Sequence, residues 1–410
     1  MSPFRCDVRK IRVYLISFER SQHLAMINYR TLCLVIGINF SAFFAQSQNA
    51  TFEVTLGGFD AEAEAAFNYA TDQWSQYLIS DVPIKVHANL VTLLPGQLGI
   101  TFPNGEKNFV GAPFNDTWYA SCLANAITGT ELNPGYADMD IFINSTANWY
   151  FGTDGNTPAG QYDFVSTVMH EICHGLGFLS LSNKDVTTGS FGLIYATDFF
   201  PLVTSFPWPE LDTLPSAMDH YLSNGSGTML LTFENPSDAL GDEFTSNNIF
   251  CISEKVLNAH GGEAGRIYAP STFTLGSSMS HWNEGSYPVG NENEFMTPNA
   301  ASGHSSQVPG PMTLALLEEI GWEIDYTIDI NTTIQPDESP IIFPNPANEN
   351  AVISNLPVNA SWDVVSLDGR NVASGANNVI DCKDWARGIY IVRFISDRGA
   401  EIKSSKLVLN

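Results

Sequence analysis

Residues 161–178 read QYDFVSTVMHEICHGLGF. The stretch predicts a helix, and its apolar setting places that helix in a packed interior. Within it, His170-Glu171-Ile172-Cys173-His174 forms an HExxH pattern. Histidines four apart lie on one helix face, one turn apart. Both imidazoles can therefore reach one Zn²⁺ at about 2.0–2.1 Å. Glu171 lies beside them, placed to take a proton from a water that zinc has acidified and to hand it to a leaving amine. One catalytic zinc is the cofactor this pattern calls for. The competing reading is a chance HExxH on a structural helix. Cys173, between the two histidines, reads as a packing residue.

A catalytic zinc needs a third protein ligand and an open position. The continuation Gly175-Leu176-Gly177-Phe178 offers a sharp turn at Gly177, where glycine can take left-handed geometry. The resulting HExxHxxG resembles the metzincin zinc peptidases. In their commonest pattern a third histidine follows three residues after that glycine, a position held here by Ser180, a poor zinc ligand. Farther along, GSSMSHWNE at 276–284 contains His281-Trp282, NEFMTP follows at 293–298, and TLALLEEIGW at 313–322 reads as a helix. This ensemble resembles the leishmanolysin-type branch of the metzincins, over about residues 138–322. The resemblance implies a zinc endopeptidase acting on protein or peptide substrates. It assigns His170, His174 and His281 as ligands, Glu171 as general base, and Met296 as an apolar support of the site. Two departures stand out. The gap of 107 residues between His174 and His281 is longer than that branch leads one to expect, and Phe295 stands where Leu is usual. His304, His260 and His220 are the other candidates for third ligand. Two further readings stay open: a non-catalytic binding or adhesion protein with a structural zinc, and a zinc hydrolase of a non-peptide amide or ester.

Around this centre, residues 60–80 place Ala65, Phe67, Ala70, Trp74 and Leu78 at helical spacing, predicting a helix from near Asp60. Residues 83–94 and 138–144 read as strands. The second, DMDIFIN, is either an edge strand that aligns an extended substrate or a plain sheet strand. Residues 181–280 are weakly periodic and rich in Gly, Pro, Ser and Asn, which reads as an irregular insertion. A helix over 311–321 starts at Pro311 and stops at Gly321. Tyr287 is a candidate hydrogen-bond donor to the reaction centre. The expected fold class is α+β: a metzincin-like domain over 46–325, with a twisted sheet plus the active-site helix. A polar linker over 326–340 and a small all-β sandwich over 341–410 follow it.

In that last segment, short alternating runs at 350–354, 361–366, 389–395 and 403–409 are separated by turns. It opens on Phe343-Pro344-Asn345-Pro346, continues through VSLDGR at 365–370 and ARGIYIVR at 386–393, and ends on KSSKLVL at 403–409. The order closely resembles the C-terminal sorting domain of the type IX secretion pathway. The resemblance implies the type IX machinery as a partner, with release or surface attachment afterwards. A generic accessory β-sandwich is the alternative.

Composition narrows the rest. The 410 residues hold 18 basic and 44 acidic side chains, a net charge of −26, and 44% are hydrophobic. That apolar share excludes disorder. Residues 46–340 carry 5 basic against 35 acidic residues, so nucleic acid is not expected as a partner. Ca²⁺ is a candidate second ion, although no run has EF-hand spacing. Residues 31–45, TLCLVIGINFSAFFA, read as the apolar part of a signal peptide over 1–45, with Met26 an alternative start and an anchor helix the alternative reading. No later stretch is long and apolar enough to span a bilayer. The expected location is secreted or attached to the outer cell surface. Export favours disulfides; among Cys122, Cys173, Cys251 and Cys382 the pair Cys122–Cys251 is the first candidate, and four buried thiols are the alternative.

Overall fold

A computed structural model describes residues 48–327 and 340–409, apart from 344, 348, 355, 357–359, 368 and 397–400. The leader over 1–45 and nearly all of the 326–340 linker lie outside the described residues. The fold is mixed α and β, with several small sheets and few helices, in keeping with α+β.

Four strands make the central sheet: β1 (Phe52–Gly57), β2 (Ile84–Val91), β3 (Gly99–Pro103) and β4 (Met139–Asn144), in the order β1-β2-β4-β3. β1, β2 and β4 are parallel, and β3 pairs antiparallel with β4. A parallel pair needs a crossover, supplied for β1 and β2 by helix α1 (Ala61–Tyr77). The Asp60 side chain caps α1 by accepting from the Ala63 N–H at 3.0 Å, a cap worth about 1 kcal/mol. Ala63, Ala66, Phe67, Ala70 and Trp74 form its buried stripe.

The HExxH helix is α3 (Phe164–Gly175), preceded by the short α2 (Ser121–Thr128). It starts three residues later than the sequence predicts. The cause is Asp163, whose side chain caps the helix from Ser166 N–H at 2.6 Å, while Tyr162–Asp163 pair with Trp149–Tyr150 as a short parallel ladder. The Trp74 indole donates to the Met169 carbonyl at 2.9 Å and fastens α1 to α3.

β4 is not an edge strand. It is paired on both sides and all six residues are buried: Met139, Ile141 and Ile143 in the main core, Phe142 in a second cluster on the opposite face. The sheet's edges are β1 and β3, and β3 is the edge beside α3.

Residues 181–280 are also more ordered than their composition suggests. They form a hairpin (Ser182–Asp185 with Thr188–Phe191), a three-stranded sheet (Leu222–Asn224, Ile249–Cys251, Gly265–Ile267) and two six-residue helices (Asp238–Glu243, Glu254–Ala259). Elements this short show no readable period, yet Met218, Leu222, Phe244, Ile249 and Ile267 sit in the same core as α3. Helix α4 (Pro311–Ile320) follows, and the Trp322 indole donates to Leu176 O at 2.8 Å, tying its end to the end of α3.

The four described cysteines are buried free thiols, so the Cys122–Cys251 pairing does not form. Cys122 instead donates to Gly175 O at 3.3 Å, and burial pushes the Cys251 thiol up to about 12.

The C-terminal segment has its own core. Strands β5 (Ile341–Phe343), β6 (Asn350–Ser354) and β9 (Val379–Asp381) form one antiparallel sheet. Strands β7 (Ser361–Ser366), β8 (Asn371–Gly375), β10 (Gly388–Ile395) and β11 (Glu401–Leu409) form another. Ile353 and Ile380 from the first meet Trp362, Val364, Val392 and Phe394 from the second.

Candidate metal centre

The three histidines singled out by the sequence come together. His170 and His174 project from α3, and His281 arrives from the far side of the insertion. Each ring is oriented by a backbone carbonyl at its Nδ1: Phe295 O for His170 at 2.9 Å, Phe178 O for His174 at 2.8 Å, Ser277 O for His281 at 2.7 Å. A carbonyl only accepts, so each neutral ring carries its proton on Nδ1 and a lone pair on Nε2.

Those lone pairs point at one another. The Nε2 of His281 lies 3.2 Å from the Nε2 of His170 and 3.2 Å from that of His174. With no proton between them, these are not hydrogen bonds. A tetrahedral ion with bonds of about 2.0–2.1 Å holds its donors about 3.3 Å apart, so the observed spacing fits zinc. The rings stay uncharged: burial lowers His170 to about 4 and His281 to about 3, and holds His174 well below its ordinary value.

Glu171 is nearly enclosed. Burial raises its carboxyl to about 7, against the opposing effect of the Thr101 hydroxyl, which donates to Oε2 at 2.7 Å. Gly99, two residues earlier on β3, faces the same carboxylate: a Cβ there would sit 2.5 Å from Oε1. Nothing in the spacing of residue types singles out Gly99 or Thr101 as site residues. The short run GITFP at 99–103, ahead of Asn104-Gly105, was the available signal.

The supporting residues are placed as follows. Gly177 has φ +108°, and a Cβ on it would press Ile320 at 3.1 Å, so both backbone and space favour glycine. Met296 is fully buried and its carbonyl accepts from Trp282 N–H at 2.9 Å, which links it to the residue after His281. The rival histidines stand apart from the three-histidine cluster. His220 stacks on Phe114 at 3.9 Å, His260 bonds Glu263 O at 3.1 Å, and His304 bonds Glu294 at 2.6 Å. Tyr287 is buried with its hydroxyl accepting from Arg266 N–H at 3.1 Å, and it does not line the cleft that holds the three histidines. Among the described residues the three-histidine cluster is the one group of three or more His, Cys, Asp or Glu side chains close enough together to hold a metal ion.

The centre opens into a cleft of about 1090 Å³. β3 forms one wall, residues 179–211 of the insertion another, and the loop 294–306 a third. The ladder registers show which backbone groups of β3 are free. Leu98 O accepts from Asn144 N–H at 2.9 Å and Asn104 N–H donates to Asp138 O at 2.7 Å, so even-numbered residues bond to β4. The N–H and C=O of Gly99 and Thr101 therefore turn toward the open edge.

Comparison with known families gives two matches. A family model described as SPBPB7E8-like covers residues 61–214, from α1 through the HExxH helix into the insertion. No curated protein matches the chain significantly. Among the described residues no helix is long and apolar enough to cross a membrane. The second family model, the secretion system C-terminal sorting domain, covers residues 341–410, and with it the chain carries the mark of a protein secreted through the type IX system and attached at the cell surface.

Proposed function

We propose that the chain is a secreted zinc-dependent endopeptidase of the metzincin type, close in plan to its leishmanolysin-type branch. The observation that carries this is the convergence of three Nε2 lone pairs, each fixed by its own carbonyl, beside a buried carboxylate. When bound there, zinc would supply Lewis acidity toward an attacking water and a substrate carbonyl. His170, His174 and His281 would hold it. Glu171 has its carboxyl near neutrality, which suits a group that first accepts a proton from water and then returns it to the departing amine. Thr101 fixes the orientation of that carboxylate. The free groups of Gly99 and Thr101 would pair with an extended peptide backbone and lay it along the cleft.

A structural zinc would have no use for a carboxylate in this position, which favours hydrolysis over a binding role. The full chain as wild type, His281→Ala and Glu171→Gln should be compared for bound zinc and casein cleavage. We expect one zinc with activity in wild type, loss of both in His281→Ala, and zinc without activity in Glu171→Gln. Zinc and activity that survive His281→Ala would refute the ligand set. Zinc without cleavage in wild type would refute the peptidase.

A further inference from the structure

Residues 199–208 of the insertion form a strap across the outer face of the central sheet. Its underside is an aromatic cluster: Phe102 of β3 meets Phe199 at 4.9 Å and Trp208 at 5.7 Å, and Phe206 is buried beside them. One polar anchor sits within it. Asp140 of β4 is fully buried, yet its carboxylate accepts from the Ser205 hydroxyl at 2.8 Å, from the Ser205 N–H, and from His87 Nδ1 at 2.8 Å. A buried carboxylate that accepts both the hydroxyl and the N–H of one loop serine fixes that loop in place.

The upper side of the strap belongs to the cleft. Phe199, Phe200, Leu202 and Trp208 line the same space as His170 and Glu171. Phe200 is 83% exposed there, and Val203 beside it is 76% exposed. Apolar side chains held out at the mouth of a cleft, while their neighbours are packed, mark a contact surface. β3 lies between the two parties: Ile100 and Phe102 face the strap, Gly99 and Thr101 face Glu171. A peptide added to the free edge of β3 would alternate its side chains between the same two sides.

We infer that the 199–208 strap is a substrate-binding wall for the apolar side chains of an extended peptide, and that Asp140 is the positioning residue that holds it. This rests on the peptidase reading of the cleft. The central segment's acidity adds to the choice of occupant: the cleft lining holds Asp163, Glu171, Asp198 and Glu294 and no lysine or arginine, so acidic side chains are disfavoured at this wall.

The test uses the full zinc-loaded chain, with fluorescein-labelled casein as probe. Binding is read by anisotropy in a Glu171→Gln background, and kcat and KM are read in the active enzyme. Phe200→Ala removes an exposed ring and leaves the core alone; Asp140→Asn and Ser205→Ala loosen the anchor. We expect each to weaken casein binding and raise KM about tenfold, with kcat within twofold and zinc stoichiometric. Unchanged binding and KM in Phe200→Ala would overturn the wall. A fall in kcat or zinc at constant KM in Asp140→Asn would reduce Asp140 to a structural role, and should that variant fail to fold, Ser205→Ala decides the anchor. Absence of casein binding in the Glu171→Gln protein also overturns the wall. If casein binds in a Phe200-dependent way and is never cleaved, the wall stands and the peptidase reading falls.

Discussion

On the proposed function, replacing Gly99 by alanine should separate catalysis from metal binding. The added Cβ would lie 2.5 Å from Glu171 Oε1 and 2.7 Å from both Cδ and Cγ. Ordinary non-bonded contacts begin near about 3.5 Å, so the carboxylate and β3 must part by about 1 Å. A shift of that size stretches the Thr101–Glu171 hydrogen bond from 2.7 Å beyond bonding range. Misplacement of a reacting group by about 1 Å costs on the order of 10²-fold in rate. The histidines are held by the carbonyls of Phe295, Phe178 and Ser277, whereas the three atoms nearest the added Cβ all belong to Glu171. Alanine suits an extended strand, so the fold should persist. Gly99→Ala should therefore keep one zinc and lose about 10²-fold in kcat, measured by casein cleavage beside metal analysis. Activity within threefold of wild type would mean that Glu171 is not the proton carrier or that β3 yields freely. Loss of zinc would mean that α3, not the side chain, absorbs the clash.

Three more outcomes follow from particular contacts. In metal-free protein, the imidazole of His281 sits near 3 when folded and about 6.5 when unfolded, so the unfolded state binds the extra proton between those values. Wild type should then lose stability relative to His281→Gln as pH falls through that window, by up to about 1.4 kcal/mol per unit, and parallel denaturation curves would contradict it. Ser280→Ala removes the hydroxyl that accepts from Ser180 N–H at 3.0 Å, leaving a buried donor unpaired beside His281; a loss of about 1–3 kcal/mol is expected by urea denaturation. Deleting residues 341–410 should abolish surface delivery while cleavage by the purified remainder persists, as cell fractionation and a casein assay would show.

The sequence disclosed the parts that carry a period or a fixed spacing. α1 is legible because Phe67, Ala70 and Trp74 fall on one stripe, and its start is legible because Asp60 is a capping side chain. The start of α3 was misplaced for the converse reason: Asp163 is the cap, and Tyr162 belongs to a two-residue ladder too short to read. β4 was legible as a strand but not as an interior one. Asp140 and Asn144 suggest a wet face, whereas the 199–208 strap covers that face and uses Asp140 as its anchor. No property of DMDIFIN alone could announce a covering segment sixty residues away.

The metal centre shows the same division. HExxH fixes the relative placement of His170 and His174 because a helix fixes its own geometry. The third depends on chain that returns after a long excursion, and Ser180 marks where the short route ends. The structure joins the two routes at that point: Ser180 N–H donates to Ser280 Oγ, so the residue three after Gly177 touches the neighbour of His281. The insertion is thus not a loop hung on a finished core. Its strands share the core of α3, and Asp219, fully buried within it, accepts from Leu181 N–H at 3.1 Å and Ser216 N–H at 2.8 Å. The turn after α3, the insertion and the His281 loop therefore hold one another, which gives His281, 107 residues away in sequence, a fixed place beside His174.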